Sequence, residues 1–582
     1  TLGMWNSNST VSDCRKKEEK EERMIKMKKI IFVMLLFFMA PLLLLQSKAQ
    51  AAEISLTAEN FPDAVMLKAV KKADKDGNGI LSQKEIDAVT ELSVEDYNKN
   101  INLKNISLFT NLKNFAVSGK SIANIDEIYQ LSKCEELAVY DFTSIDSVDF
   151  SRLQSLKKLT AVFSSIKKLV INNANLGEAL IRLTNVQNTE ALDLSGNTKL
   201  EKLTLQDRAY ERVNLSGNNY VKILKLDAEF EKEMNISNVL NLQELYLPGF
   251  GTKERTSQLT VSDCPKLHYV EVNYIKSLTS LELKKLPLLG GVSIDAPKLK
   301  KLDLSPFSKL KAITIESNKM TELKLPKKAP INNLSITGTK LKKINLKNYK
   351  KMPFCYIQMP KLKTLNLENN KNIRHLSVSD CHALKKVDLS KNKKIEKLYM
   401  TDNKKMQTIK LPKKNKIKFY TLNLMPKLTK INLGCLTKLK TLSASRITKI
   451  KKLDLSKLKK LDSFEWTHGS LTKIKWGKKS HYREINIKRN KLSGKLNLKP
   501  FTGLVFFYCN HNNYTEIIGG YYLVNFTCDY NKKLKKLDMR KSTELNGFSA
   551  YGVKKAKIYL YDSVMEFGPH LDTKNVKYVK KY

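Results

Sequence analysis

The sequence predicts a β-rich solenoid of short parallel strands stacked in coils, preceded by a small α-helical segment. The main observation is a pair of apolar residues separated by one residue, which returns about every 10 or 11 residues from Ile101 to Leu560. In the middle third of the chain the first residues of these pairs are Leu281, Val292, Leu302, Ile313, Leu323, Leu334, Ile344, Cys355, Leu365, Leu376, Val387, Leu398 and Ile409. A fixed period of this kind indicates similar coils that bury their apolar faces against one another.

One complete unit is clearest at residues 384–404, LKKVDLSKNKKIEKLYMTDNK. It contains two half-units, and each alternates apolar and polar residues before ending near an asparagine, Asn392 or Asn403. The alternation predicts strands, and a buried asparagine there can donate its amide to the backbone of neighbouring coils. The same ladder position is occupied by Asn197, Asn218, Asn318, Asn370 and Asn490, and by Cys264 and Cys381. The two cysteines are therefore expected to be buried ladder residues rather than reactive thiols.

This pattern resembles the leucine-rich repeat family, in its bacterial variety with nested half-units of 10 and 11 residues. The resemblance implies a leucine-rich repeat solenoid with two narrow parallel sheets and few helices. It also implies a secreted bacterial protein that binds a protein or carbohydrate partner on a long repeat surface.

The N-terminal sequence predicts export. Residues 15–29 would have purine-rich codons, so residues 1–23 are expected to be an untranslated upstream region. Residues 24–51 then form a signal peptide, with two lysines, an apolar run at 30–45 and the small-residue triplet Ala49-Gln50-Ala51. A membrane anchor is the alternative, but the run is shorter than the roughly 20 residues of a span. We expect a monomer with no membrane span after cleavage, secreted and retained at the bacterial surface by charge.

Residues 53–98 are predicted to form a helical cap, residues 99–562 the solenoid and residues 563–582 a basic tail. The cap contains the sequence DKDGNGILSQKE at 74–85, which has the EF-hand pattern of calcium loops. Its expected calcium ligands are Asp74, Asp76, Asn78, the carbonyl of Ile80, Ser82 and Glu85. Asn60 and Pro62 are expected to begin the entering helix, and residues 83–92 to form the leaving one.

Calcium is the only cofactor that the sequence predicts, and its expected role is to stabilise the cap over the open first coil. Leu81 is the apolar loop residue that normally pairs with a second loop, yet the chain has no second one. One alternative is a degenerate turn with little calcium affinity. A dockerin is another, but it requires a duplicated loop.

Charge suggests a second binding mode, because 104 Lys and Arg residues against 57 Asp and Glu give a formal net charge of +47. Lysines gather before alternate apolar pairs in a predicted stripe of Lys300, Lys301, Lys342, Lys343, Lys385, Lys386, Lys430, Lys451, Lys452 and Lys473. With coils about 4.8 Å apart, this row would extend roughly 40 Å and match an extended polyanion. Alternatively, the lysines keep a long apolar stack soluble and monomeric.

Catalytic motifs are missing from the sequence, which has no GxSxG, Walker or HExxH pattern, so no enzyme is predicted. The first functional interpretation is an adhesion or interaction protein. The alternative is a lysine-mediated binder of anionic polymers, such as wall teichoic acid, extracellular nucleic acid or host glycosaminoglycan. A third interpretation, a hydrolase, would give turnover in an activity screen.

Overall fold

The computed structural model describes residues 53–213, 219–227, 233–248, 256–477, 481–571 and 575–579. The predicted upstream region, the signal peptide and ladder residue Asn218 lie outside these residues. The chain divides into two compact units. Of the described residues, the N-terminal unit contains Glu53–Thr143 and Arg152–Leu156, and the C-terminal unit contains Ser144–Ser151 and those from Lys157 onward.

The N-terminal unit begins with two short α-helices around the acidic loop. Helix α1, Ala64–Val70, is capped by Asp63, whose carboxylate accepts hydrogen bonds from the backbone of Val65 and Met66 at 2.9 and 2.8 Å. The predicted cap at Asn60 is therefore wrong by one helical turn. Helix α2, Gln83–Ala88, ends before Leu92, because the β-branched residues Val89 and Thr90 lead directly into a strand.

Strands of this unit form parallel coils. Glu91–Asn102 pairs with Asn114–Ala123, which pairs with the first part of Glu136–Asp149. The first strand thus begins ahead of the predicted boundary at residue 99. A 3₁₀ turn, Lys71–Ala73, follows helix α1, and further 3₁₀ turns at Ile106–Leu108 and Ile125–Gln130 connect the strands. The 3₁₀ turn Phe150–Arg152 has residues in both units.

The C-terminal unit contains one long parallel sheet, which we call the main ladder. Its strands are Lys158–Val170, Glu178–Asn185, Lys202–Asp207, Ile223–Asp227, Glu244–Pro248, Tyr269–Asn273, Gly291–Asp295, Ala312–Glu316, Asn333–Thr337, Phe354–Gln358, His375–Ser379, Lys397–Thr401, Phe419–Asn423, Thr441–Ser445, Ser463–Thr467, Glu484–Asn486, Phe506–Tyr508, Asn525–Thr527, Gly547–Ala550 and His570–Leu571. In a typical pair, Leu376 lies opposite Leu398 and Val378 opposite Met400. Each strand buries alternate side chains, so the apolar pairs stack into the core.

Shorter parallel strands form the second side of the coils. They are Glu233–Ser237, Gln258–Ser262, Ser280–Lys284, Lys301–Asp303, Glu322–Lys324, Lys386–Asp388, Thr408–Lys410, Lys452–Asp454, Lys473–Lys475, Ser493–Asn497, Asn513–Ile518, Lys536–Asp538, Lys557–Tyr561 and Val576–Val579. The described helical segments of this unit are the 3₁₀ turns Ala209–Arg212 and Asp562–Phe567. These features confirm the predicted β-rich solenoid of stacked parallel strands with few helices. Pairing continues into the predicted tail, where Val576–Val579 pairs with Lys557–Tyr561.

Buried asparagines tie successive coils together, as the repeat pattern predicts. Asn392 is fully buried and donates to the carbonyl oxygens of Leu367 and Asn370 at 2.9 and 3.0 Å. The prediction is wrong for Asn318, which is exposed, because Ser317 takes the buried position and donates to Leu299. Two ladder residues that the sequence analysis missed, Asn512 and Asn531, lie near the C-terminal end.

The predicted burial of the ladder cysteines is confirmed. Cys264 and Cys381 are both fully buried. Burial raises the pKa of the Cys381 thiol to about 12, so that it stays protonated at neutral pH. The same cause raises the pKa of Cys355 to about 12. These thiols are core residues and not nucleophiles.

Candidate binding surfaces

The acidic loop of the N-terminal unit brings three predicted ligands together. Carboxylate oxygens of Asp74, Asp76 and Glu85 all lie within 4.8 Å of one another. Oxygen ligands on opposite sides of a calcium ion are roughly 4.6–5.2 Å apart, because each binds at 2.3–2.6 Å. The described loop therefore has the dimensions of a site for a hard divalent cation.

Backbone hydrogen bonds hold these carboxylates in place. Asp74 accepts from the N–H groups of Gly77 and Gly79 at 2.7 and 2.9 Å. Both glycines have positive φ, 74° and 79°, which a side chain would strain. The Oδ1 of Asn78 accepts a hydrogen bond from the Ile80 N–H at 2.7 Å. The loop is thus ordered by its own backbone.

Glu85 is tied both to the loop and to helix α2. Hydrogen bonds from the Ser82 and Lys75 backbone N–H groups, and then from the Ser82 hydroxyl, lower the Glu85 pKa to about 2. Its carboxylate is therefore ionised at any physiological pH. Ser82 donates its hydroxyl to Glu85 at 2.8 Å and caps the helix, so it positions this carboxylate as well as being a predicted ligand.

A two-residue strand pairs with the end of the acidic loop. Ile80–Leu81 pairs in antiparallel fashion with Ile54–Ser55, and the Leu81 side chain is fully buried. The Leu56 N–H also donates to the carbonyl of Gly79 at 2.8 Å. Residues 54–56 thus pair with the second half of the acidic loop.

One part of the outward surface of the main ladder carries almost no charge. Six consecutive strands, from Asn333–Thr337 to Thr441–Ser445, each turn three side chains outward. These residues, which we call the neutral face, are Asn333, Ser335, Thr337, Phe354, Tyr356, Gln358, His375, Ser377, Ser379, Lys397, Tyr399, Thr401, Phe419, Thr421, Asn423, Thr441, Ser443 and Ser445. Burial, and then the charge of Lys397, lowers the pKa of His375, so this imidazole is neutral at pH 7. Lys397 is thus the one charged residue of the neutral face.

Aromatic rings are concentrated at the centre of the neutral face. Phe354, Tyr356, His375, Tyr399 and Phe419, which we call the aromatic patch, lie on four consecutive strands. Phe354 and His375 contact edge to face with ring centroids 4.9 Å apart. Phe354 is 38% and Tyr356 is 43% exposed, values high enough for direct contact with a ligand. The sequence analysis missed this patch, although the outward positions of successive apolar pairs contained the signal.

The second side of the coils has the opposite character. Its six central short strands turn outward the residues that we call the charged face: Lys301, Asp303, Glu322, Lys324, Lys386, Asp388, Thr408, Lys410, Lys452, Asp454, Lys473 and Lys475. All but Thr408 are charged. Each of the ten lysines of the predicted stripe is exposed.

The lysine row is interrupted and partly neutralised. The backbone N–H of Thr321 donates to the Lys300 carbonyl, and that of Gln407 donates to the Lys385 carbonyl. Thr321 and Gln407 are therefore the neighbours of these lysines on the next coil, so the row is interrupted at two coils. Lys301 pairs with Glu322 at 3.5 Å, while neighbours outside the predicted set form the pairs Lys410–Asp388 and Lys475–Asp454 at 2.9 and 3.1 Å. Aspartate and lysine therefore alternate at the second outward position of these strands, which carries Asp303, Lys324, Asp388, Lys410, Asp454 and Lys475.

Comparisons with known proteins give structural likenesses only. No protein-family model matches the chain, and no curated protein matches it. The functional domain of InlJ from Listeria monocytogenes, which includes a cysteine ladder, is 16% identical; the match covers 88% of this chain and 83% of that one, with a TM-score of 0.28.

Two further solved structures resemble the chain at similarly low sequence identity and TM-score. An internalin, InlF, from Listeria monocytogenes is 16% identical over 72% of this chain and 98% of that one, with a TM-score of 0.31. A TDR receptor is 13% identical over 85% and 90% of the two chains, with a TM-score of 0.34. Likenesses at these scores assign no function. Among the described helices, none has the length and apolar character of a membrane span.

Proposed function

We propose that this chain is an interaction protein that binds a protein or carbohydrate partner on the neutral face, with the aromatic patch as the centre of contact. The observation that carries the proposal is the near absence of charge on this face in a chain of net charge +47. Solubility alone would favour charged outward residues there, as on the charged face. A surface with one charged residue across six strands is suited to contact with a partner.

The composition of the neutral face fits such a partner. Tyrosine and phenylalanine supply large contact areas at a small cost in side-chain entropy, and they are enriched where binding energy is concentrated. Around them, Ser377 and Thr421 offer hydroxyl groups that can donate or accept hydrogen bonds, and the Ser443 hydroxyl, which donates to Glu465 at 2.6 Å, can still accept. Aromatic rings surrounded by hydroxyl and amide groups suit the polar and apolar faces of a sugar chain as well as a protein surface.

Binding of anionic polymers by the lysine stripe is the second candidate function. The exposure of all ten predicted lysines supports it. The ion pairs and the two interrupting coils weaken the continuous field that an extended polyanion would need. We therefore rank it second, as a means of retaining an exported protein at the cell surface. The signal pattern at residues 24–51 supports export.

Calcium at the acidic loop is proposed to stabilise the first coil of the N-terminal unit. The helical segment is bonded to this coil at several points. Lys104 donates to the carbonyl of Glu59 and Asn105 to that of Asn60, both at 2.9 Å. Asn111 donates to the carbonyl of Asp87, just beyond Glu85, at 2.8 Å. A calcium ion that holds the loop in place would therefore also hold the helical segment against the edge of the first coil.

The binding proposal predicts that loss of two aromatic rings abolishes partner capture. The double variant Tyr356→Ala/Tyr399→Ala should retain at least about 10-fold less material from cell-wall and host-matrix fractions, because buried aromatic contacts dominate binding energy. The measurement is affinity capture with the purified protein at low and at physiological salt, with quantification of the retained material. DNA serves as the polyanion in a parallel experiment.

Two control variants distinguish the candidate functions. Tyr521→Ala/Tyr522→Ala removes two exposed rings outside the neutral face, at 44% and 55% exposure, and should leave capture unchanged. Lys386→Gln/Lys452→Gln should reduce only binding that falls steeply with salt. Capture that survives the loss of Tyr356 and Tyr399 but is lost with the lysines would overturn the proposal in favour of the polyanion binder.

A further inference from the structure

Three potential metal ligands meet at one corner of the C-terminal unit. Asp380 and His382 follow the strand His375–Ser379, and Asp402 follows the next strand, Lys397–Thr401. One oxygen from each carboxylate and one ring nitrogen lie within 4.8 Å of one another, and all three side chains are half-buried. We call this group the Asp380 cluster. Sequence reasoning missed it because the residues come from two coils.

The backbone at this corner is held rigidly. Asp380 and Asp402 share the same left-handed conformation, with φ of 49° and 50°, and the Asp380 N–H donates to the carbonyl of Thr401 at 2.9 Å. The buried side chain of Asn403 also holds this corner in place. It donates to the carbonyl of Val378 at 2.7 Å and accepts from the Cys381 N–H at 3.0 Å. The three side chains therefore extend from a preorganised frame.

His382 is oriented as metal-binding histidines are. Its Nδ1 lies 2.8 Å from the backbone carbonyl oxygen of Asp402, and a carbonyl can only accept, so Nδ1 carries the hydrogen. The neutral imidazole then has its lone pair on Nε2, which is 3.8 Å from the Asp402 carboxylate, beyond hydrogen-bond distance. A histidine that donates one N–H to a backbone carbonyl and presents the other nitrogen is typical of metal sites.

One buried oxygen of the Asp380 cluster lacks a hydrogen-bond donor. Oδ1 of Asp402 is buried and receives no hydrogen bond from any donor in the described part of the chain. The carboxylate of Asp380 faces that of Asp402, with one oxygen of each within 4.8 Å of the other. The nearest ammonium group, Lys404 Nζ, lies 3.5 Å from the other oxygen of Asp402 on a largely exposed side chain. A cation between the carboxylates would satisfy the buried oxygen.

We propose that Asp380, His382 and Asp402 bind a divalent first-row transition-metal ion of the zinc type. One imidazole nitrogen and two carboxylate oxygens suit zinc, whereas the all-oxygen loop at Asp74 suits calcium. Ligands around a tetrahedral zinc ion lie roughly 3.3–3.5 Å apart, so the side chains need to move inward by about 1 Å. The ion would connect two adjacent coils, with water as its fourth ligand. This site does not depend on the partner proposed above.

The test is calorimetric titration of the full chain with Zn²⁺, with calcium in excess so that the acidic loop does not compete. Wild-type protein should bind one zinc ion at this site, and Co²⁺ in its place should give the visible absorption of a low-coordinate nitrogen and oxygen site. His382→Gln and Asp402→Asn should each weaken this binding by at least about 100-fold, because each removes a direct ligand. Asparagine is chosen at residue 402 since it tolerates the left-handed backbone.

Two further variants make the result specific. His268→Gln removes a histidine that faces a single carboxylate, Glu244, at 3.6 Å, and it should leave zinc affinity unchanged. Lys404→Gln should strengthen binding several-fold, because its ammonium group competes with the metal for Asp402. Unchanged zinc affinity in His382→Gln and Asp402→Asn, or weaker binding in Lys404→Gln, would overturn the proposal. Circular dichroism of each variant shows whether its coils are intact.

Discussion

Replacing Asn392 with alanine should lower the free energy of unfolding by about 2–4 kcal/mol, because two buried carbonyl groups lose their donor. Asn392 is fully buried, and its amide bonds to the carbonyls of Leu367 and Asn370. No water reaches these oxygens to replace the lost bonds, and the smaller side chain leaves a cavity in addition. The measurement is urea unfolding followed by circular dichroism.

The matched control for this variant is Asn348→Ala. Asn348 also donates to a carbonyl of the preceding coil, that of Lys327 at 3.0 Å, but its side chain is exposed. Water can take over the lost bond there, so the expected change is below about 0.5 kcal/mol. Equal effects of the two substitutions would show that the buried ladder does not stabilise the coils more than surface hydrogen bonds do.

Glu85→Gln should weaken calcium binding by at least about 100-fold, since it removes the charge and one binding oxygen of the last loop ligand. The substitution isolates the ligand role. Glutamine can replace glutamate in a capping box, so helix α2 should still begin at Ser82. Calorimetric titration with Ca²⁺ gives the affinity, and calcium should raise the thermal midpoint of wild-type protein much more than that of the variant.

Asp87→Asn is the control for calcium binding. It changes one acidic group two residues beyond Glu85, on an exposed part of helix α2, without touching the loop. Its calcium affinity should stay within a few-fold of the wild-type value. If wild-type protein binds no calcium, or if the two variants lose affinity equally, the degenerate turn is the better description of residues 74–85.

The fold was predictable because one physical signal dominates the sequence. Alternating apolar residues such as Leu398 and Met400 must face the core in every coil. Their alternation predicts strands, and the recurrence of the pairs predicts stacked coils with a strand on each of two sides. The proximity of Asp74, Asp76 and Glu85 could also be predicted from the sequence, since the expected ligands lie within twelve consecutive residues. Local patterns of this kind need no knowledge of the neighbouring coil.

Features that depend on contacts between coils could not be predicted from the sequence in the same way. The strand Ile54–Ser55 has only two residues and thus no period, although it pairs with Leu81. At the ladder position of one coil, Ser317 is buried in place of Asn318. Both residues are polar and adjacent, so the repeat pattern does not distinguish between them. The Asp380 cluster joins positions 22 residues apart, where a single-residue change of register would separate them.

The contrast between the neutral face and the charged face leads to one decisive measurement. A photo-reactive amino acid is placed at Tyr356 on the neutral face or, in a second sample, at Lys452 on the charged face. Each protein is irradiated with cell-wall and host-matrix fractions at physiological salt, and cross-linked products are quantified. Our account predicts a specific product from residue 356 and none from residue 452. A product formed only from residue 452 would contradict it.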